Sequence, residues 1–287
     1  MDAPDLEPGP GAGAEVLYEP SVGDAVRANL EPSYVAYGAG FGLDPLIFEA
    51  NIAPHFSLLP RQWHVALFLT PKIVLRMFAE ESTPVKTPSY MPRLTLMAWR
   101  EDRVTGPAFY GSLMLSHHSN GQAGPFFDAD GDVNHEDGDF STNFVELGVS
   151  RVARRADYFA WSTVALEWHP GFNESPELEG RYGLWRVHVA STAIRRLVLD
   201  DELYVRLSVI LDEFQRSSDD FLQGELERYP LLVRYTTRWP SIDIGLFASV
   251  YVGHDYYNIW FDRMLGSFLV GLSGDLTSSL PRAPDDW

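Results

Sequence analysis

The sequence predicts an all-β chain, a barrel or a sandwich, on three observations. Short runs rich in Val, Leu, Ile, Thr and aromatic residues recur between turn signals from about Trp63 onward. Several of these runs sort by parity into an apolar and a polar set. No alternating helix–strand rhythm and no internal repeat competes with that pattern.

Candidate strands lie near 63–70, 72–79, 93–100, 107–119, 142–151, 157–169, 181–190, 202–212, 231–239, 242–253 and 263–273. Turn chemistry separates them at Thr70-Pro71-Lys72, over the Pro84 to Pro92 stretch, at Pro170-Gly171 and at Trp239-Pro240. Only segments near 44–58 and 211–228 have a helical pattern. In 203–211 the odd positions are Leu203, Val205, Leu207, Val209 and Leu211, against Tyr204, Arg206 and Ser208. In 264–272, Met264, Phe268, Val270 and Leu272 alternate with small or polar residues. Strands of about ten residues with this alternation suit a membrane barrel with its apolar face outward. They suit equally a soluble sandwich or barrel with the apolar face inward, and parity alone does not separate the two.

Composition narrows the function classes. A net charge of −18 repels nucleic-acid phosphates, which argues against a DNA or RNA partner. The cysteine count is zero, so disulfides and thiolate metal sites are out. The chain has no run of about 18 apolar residues, the length a transmembrane helix needs. Residues 1–25 are rich in Pro, Gly, Ala and acids and read as a flexible leader. Their first stretch, MDAPDLEPGPGAGAE, has neither the basic start nor the apolar core of a secretory signal. The domain proper spans 26–275, and 276–287 is a tail.

The chemistry concentrates in Pro107 to Gly121, PAFYGSLMLSHHSNG. Here Phe109, Leu113, Leu115, His117 and Ser119 share one parity, and Tyr110, Ser112, Ser116, His118 and Asn120 the other. Two residues along a strand stand about 6.5–7 Å apart on one face, within reach of an imidazole–hydroxyl pairing. By itself a His-x-Ser pair is more often a structural histidine beside a surface serine. The next strand, Ser141 to Val149, has Asn143, Val145, Leu147 and Val149 on one parity. Paired as a hairpin, it puts Asn143 on the same face and at the same end as His117. An amide oxygen there accepts the imidazole Nδ1–H and fixes the tautomer.

The run His117-His118-Ser119-Asn120-Gly121, with Ser141-Thr142-Asn143 after it, resembles the H-x-S-N-G motif and the S-x-N segment of the outer-membrane phospholipase A family. Glu80-Glu81-Ser82-Thr83-Pro84, Tyr90-Met91-Pro92, Ser175-Pro176-Glu177-Leu178 and Gly253-His254-Asp255-Tyr256 support the resemblance, which runs from about 60 to 275. It implies a transmembrane barrel of about twelve strands in the bacterial outer membrane. It also implies calcium-dependent hydrolysis of phospholipid acyl esters, with Ser119 as nucleophile, His117 as base and Asn143 as orienting residue. Gly121 would offer its N–H to the oxyanion. Calcium would sit between two monomers of a homodimer, on Ser82 of one and on Gln122, Asp139 and Glu174 of the other. A non-catalytic barrel, a pore or a decayed relative, is the alternative.

One departure from the family is the longer stretch between Gly121 and Asn143. Asp128, Asp130 and Asp132 take the first, third and fifth places of a calcium-type loop. Val133 stands where such a loop carries glycine, and a solvated acidic loop fits the same residues. There is no G-x-S-x-G elbow and no H-E-x-x-H zinc site.

Overall fold

A computed structural model describes residues 29–40, 46–58, 64–79, 85–100, 109–154, 158–172, 174–196, 199–239, 244–274 and 277–278. Twelve long strands close into a barrel. They are β1 (Ser33–Gly40), β2 (Leu46–Ile52), β4 (Val65–Phe78), β5 (Ser89–Arg100), β6 (Phe109–Ser119), β7 (Ser141–Arg154) and β8 (Tyr158–Trp168). Around the rest of the ring follow β9 (Trp185–Arg196), β10 (Asp200–Ile210), β11 (Leu231–Arg238), β12 (Ile244–His254) and β13 (Met264–Gly274). Each pairs antiparallel with its ring neighbour, and the β1–β13 and β4–β5 ladders complete the closure. Two short strands, β3 (His55–Ser57) and β14 (Thr277–Ser278), pair in parallel beside β4. One short helix, α1 (Phe221–Arg228), lies between β10 and β11.

The structure settles which face is apolar. Outward-facing Val35, Leu115, Leu147, Val149, Val164, Val189, Leu203, Leu246, Val270 and Leu272 are exposed, while their strand neighbours turn into the lumen. Exposed aromatic residues ring the two ends: Tyr90, Trp168 and Trp185 at one, Phe109, Tyr158 and Trp239 at the other. Trp168 stacks on Trp185 across β8 and β9, ring centroids 5.4 Å apart. An apolar band between aromatic girdles is the surface of a barrel solvated by lipid. No helix among the described residues is long and apolar enough to cross a membrane.

The lumen holds charge, and the charge is paired. Arg76 lies fully buried between Glu49 (2.6 Å) and Asp255 (2.7 Å), its guanidinium over the rings of Tyr256 and Tyr257. Glu146, Glu167 and His188 bring their ligating atoms within 4.8 Å of one another. Arg186 at 3.3 Å and His169 at 3.1 Å already engage Glu167, so this trio is compensated without an ion. A cavity of about 190 Å³ remains among these groups. Apolar clusters fill both ends. At the end with short connections, Phe68, Met97, Tyr110, Phe159 and Trp161 pack with Leu30, which precedes β1. At the end with long loops, Phe126, Val133, Phe140, Tyr182, Tyr257, Trp260 and Phe261 form a cap.

Several sequence expectations change. Thr70-Pro71-Lys72 is not a turn; one strand, β4, runs through it. Pro71 falls where β4 passes from pairing with β3 at Leu69 to pairing with β2 at Ile73, so its missing N–H breaks no ladder there. The segment near 44–58 is not helical: its described part forms β2 and β3, stabilised by their pairing with β4 and β1. Helix in 211–228 is confined to α1. The stretch Ser33–Gly40, not anticipated as a strand, is β1. The proposed leader 1–25 lies outside the described residues, and of the tail 276–287 only Thr277 and Ser278 are described.

Candidate active site on the outer wall

β6 and β7 pair in the register His117↔Asn143 and Ser119↔Ser141. Cross-strand partners share a face, so His117, Ser119 and Asn143 all point outward at the long-loop end, half-buried. His117 Nδ1 lies 3.0 Å from Asn143 Oδ1. The Asn143 amide nitrogen donates to the Phe172 carbonyl at 2.7 Å. Because the amide nitrogen is committed to a carbonyl, its oxygen faces the imidazole, so His117 must carry its proton on Nδ1. The free Nε2 lone pair is then available as a base. Among the described residues, Ser119 Oγ takes no hydrogen bond from His117; the two stand two residues apart on one strand face.

His118 points the other way. It is buried, 3.1 Å from Ser89 Oγ, with its ring edge-on to Phe140. Asn120 is buried and wholly structural. Its amide donates to the Gly138 carbonyl at 2.8 Å, and its Oδ1 accepts from Phe140 N at 3.0 Å and Gln122 N at 3.2 Å. It thereby staples the two ends of the long loop together just beyond Ser119. Gly121, at φ +70°, makes the corner, and an added Cβ would meet the Tyr90 ring at 3.4 Å.

A break in the wall adjoins His117. β5 pairs with β6 at Tyr90↔Ser119 and again at Arg93↔Ser116, but Met91 and Pro92 are skipped. Pro92 has no N–H to give the ladder, so β5 and β6 part there. The opening becomes a groove of about 340 Å³ on the outside of the barrel, walled by Leu69, Leu94, Leu115, Pro170 and Phe172, with His117 and Asn143 at its edge. Sequence parity located His117, Ser119 and Asn143. It did not find the Phe172 carbonyl, which arrives from a loop about 30 residues away in the chain.

The residues expected to hold calcium divide. Ser82 lies outside the described residues. Asp139 and Glu174 come together at the start of β7 through Ser175. The Ser175 hydroxyl donates to Asp139 Oδ2 at 3.0 Å and accepts from Ser141 N at 3.0 Å, while Glu174 Oε2 accepts from Thr142 at 3.5 Å. Burial pushes the Glu174 carboxyl up from its ordinary range. Gln122 sits on the corner held by Asn120. Each carboxylate keeps one oxygen without a hydrogen bond, beside Ser141 opposite Ser119, and such oxygens are hard donors of the kind calcium takes. In the acidic loop, the Asp128 carboxylate accepts from Asp130 N and Asp132 N at 2.9 and 3.1 Å, and Val133 is buried in the cap. The loop is thus a folded lid on the barrel mouth.

Fold and site together define a closed antiparallel β-barrel that carries Ser119, His117 and Asn143 on the apolar outer face of its wall. Solved structures that share the fold include the following three. Outer membrane phospholipase A from Escherichia coli superposes with a TM-score of 0.55 at 15% identity, over 86% of this chain and 91% of that one. An asparagine-to-alanine active-site mutant of the same protein, at pH 6.1, gives the same values. The Salmonella typhi outer membrane phospholipase, a dimer with bound calcium, gives 0.53 at 14% identity over 86% and 91%. No family model matches the chain, and no curated protein matches it in sequence.

Proposed function

We propose that this chain is an outer-membrane serine ester hydrolase that cleaves acyl esters of glycerophospholipids. The observation that carries the reading is the His117–Asn143 hydrogen bond on the outer wall, with Ser119 on the same face and an apolar groove beside it. A soluble enzyme would bury such a face. In a bilayer, this face is where acyl esters are. The three solved structures named above are phospholipases, and one of them carries an active-site asparagine replaced by alanine.

In this reading Ser119 Oγ attacks the ester carbonyl carbon while His117 Nε2 takes its proton. Asn143 holds the imidazole through Nδ1–H and stabilises the imidazolium, less than a carboxylate would. The Gly121 N–H faces the developing oxyanion. His117 then protonates the departing lysolipid oxygen, leaving an acyl-Ser119 ester. A water deprotonated by His117 attacks that ester, releases the fatty acid and restores Ser119. The groove walled by Leu69, Leu94 and Leu115 receives the acyl chain. Calcium, held by Asp139, Glu174 and Gln122 with Ser82 of a second subunit, would supply positive charge to the oxyanion. The pore alternative is disfavoured by the apolar clusters at both ends of the lumen.

The test is phospholipid hydrolysis in mixed micelles by the purified chain and by Ser119→Ala, together with covalent labelling by a sulfonyl fluoride. Hydrolysis and labelling that both vanish in the variant support the reading. Hydrolysis retained in Ser119→Ala refutes it.

A further inference from the structure

The lipid-facing wall does not end where the strands end. α1 is anchored firmly on its inner side. Asp220 caps its first turn by accepting from Gln223 N at 3.0 Å. Glu227 is fully buried and accepts from Ser217 N at 2.9 Å. Arg228 donates to the Ile210 carbonyl at 2.8 Å, locking the helix onto the end of β10. Gly224 and Glu227 thus define the inward face, where the helix packs on β12 and β10.

The opposite face carries a bare apolar stripe, with the half-buried Glu225 between that stripe and Phe221. Leu222, Leu226 and Tyr229, at i, i+4 and i+7, fall in one stripe along the helix. They are 67%, 41% and 44% exposed, and Phe221 beside them is 76% exposed. Tyr229 leads through Pro230 into Leu231, the first residue of the outward-facing row of β11, which continues to Tyr235. Leu207, paired with Leu231, and Leu211 beyond it are exposed on the same side. The helical stripe is therefore continuous with the lipid-facing wall at its rim. Four solvated apolar side chains on a rigidly held helix would be costly in water, at about 25 cal/mol per Å². Lipid removes that cost.

We propose that α1 is an interfacial anchor that sets Phe221, Leu222, Leu226 and Tyr229 into the headgroup–acyl boundary of the bilayer. The inference rests on the membrane reading given above and adds a second, non-strand contact with lipid. In the ring of strands, α1 lies across the barrel from β6, so it fixes the tilt and depth of the barrel on the side opposite His117 and Ser119. A helix of this kind sits about 5–10 Å into the boundary region.

The absence of cysteine makes the test direct. Leu222→Cys and Leu226→Cys are labelled separately with an environment-sensitive fluorophore. The full chain is then reconstituted in vesicles of ether-linked phosphatidylcholine, which carry no acyl ester. Val270→Cys on the barrel wall and Asp130→Cys in the acidic loop serve as references. The expected result is that both helix labels are quenched most by a nitroxide near the headgroup end of the lipid chain and are shielded from aqueous iodide. The Val270 label should answer to a nitroxide deep in the chain, and the Asp130 label to iodide alone. Helix labels open to iodide, with Val270 still quenched by lipid, would overturn the anchor and leave the membrane reading standing. A Val270 label open to iodide would overturn the membrane reading itself. Helix labels shielded from both quenchers until the protein is diluted with lipid would mean that a second copy covers the helix, which also overturns the proposal.

Discussion

The Phe172 carbonyl holds the amide nitrogen of Asn143 at 2.7 Å, and that bond turns the carboxamide oxygen toward His117. Without it, either end of the amide could meet the imidazole, and the NH₂ end would compete for the wrong tautomer. Asn143→Ala should lower kcat about 10- to 100-fold with little change in KM, as expected when an orienting partner is lost. A raised KM with unchanged kcat would place Asn143 in substrate binding instead. The measurement is steady-state hydrolysis in micelles of fixed composition.

The two adjacent histidines separate chemistry from packing. Ser119→Ala and His117→Ala should each reduce kcat by roughly a thousandfold or more, because the groups act as a unit. His118→Ala should leave kcat within a few-fold and instead lower unfolding stability by about 1–3 kcal/mol, through the lost Ser89 bond and the space left beside Phe140. Equal losses of activity from the two histidine variants would show that the register of β6 is not as described.

On the proposed site, chelation should stop hydrolysis and separate subunits together, since Asp139 and Glu174 of one chain would form only part of a calcium shell. The pH dependence has a definite sign. Burial raises the Glu174 carboxyl, so it holds its proton to higher pH than an ordinary carboxylate. Calcium needs it ionised. The calcium concentration for half-maximal activity should therefore rise as pH falls into the carboxylate range, and Glu174→Gln should flatten that dependence. Parallel titrations of activity and chemical cross-linking with calcium and EGTA check both. Full activity in EGTA would remove calcium from the mechanism.

Arg76 is the buried group whose loss should be felt most in stability. Arg76→Leu leaves Glu49 and Asp255 facing each other in the lumen, which should cost about 3–5 kcal/mol. Denaturant unfolding in detergent, followed by tryptophan fluorescence, reads this directly. An unchanged midpoint would mean that the two acids find other partners.

How far the sequence could be read depends on how local each determinant is. The faces of β6 and β7 were legible because parity is a property of the strand itself, and His117, Ser119 and Asn143 each end an apolar row. The direction of that row was not, since inward and outward barrels share one alternation; the exposed Leu147, Val149 and Val270 decide it. Pro71 misled because a proline usually marks a turn, and its tolerance depends on where β2 and β3 stop along β4. β2 and β3, with prolines nearby and no clear alternation, owe their strand form to partners rather than to their own residues. The Phe172 carbonyl and the groove beside Pro92 depend on loop placement, which no local pattern encodes.

The two aromatic stoppers have an electrical consequence. A wide barrel with a charged interior is the architecture of an ion conductor, and Arg186, Arg206 and Glu167 would line such a path. Trp161 and Phe159 pack in the apolar cluster at one mouth, and Trp260 and Phe261 in the cluster at the other, where they should obstruct it. In a planar bilayer under an applied voltage, this protein should be silent. Sustained single-channel current from the pure protein would show the two clusters to be leaky.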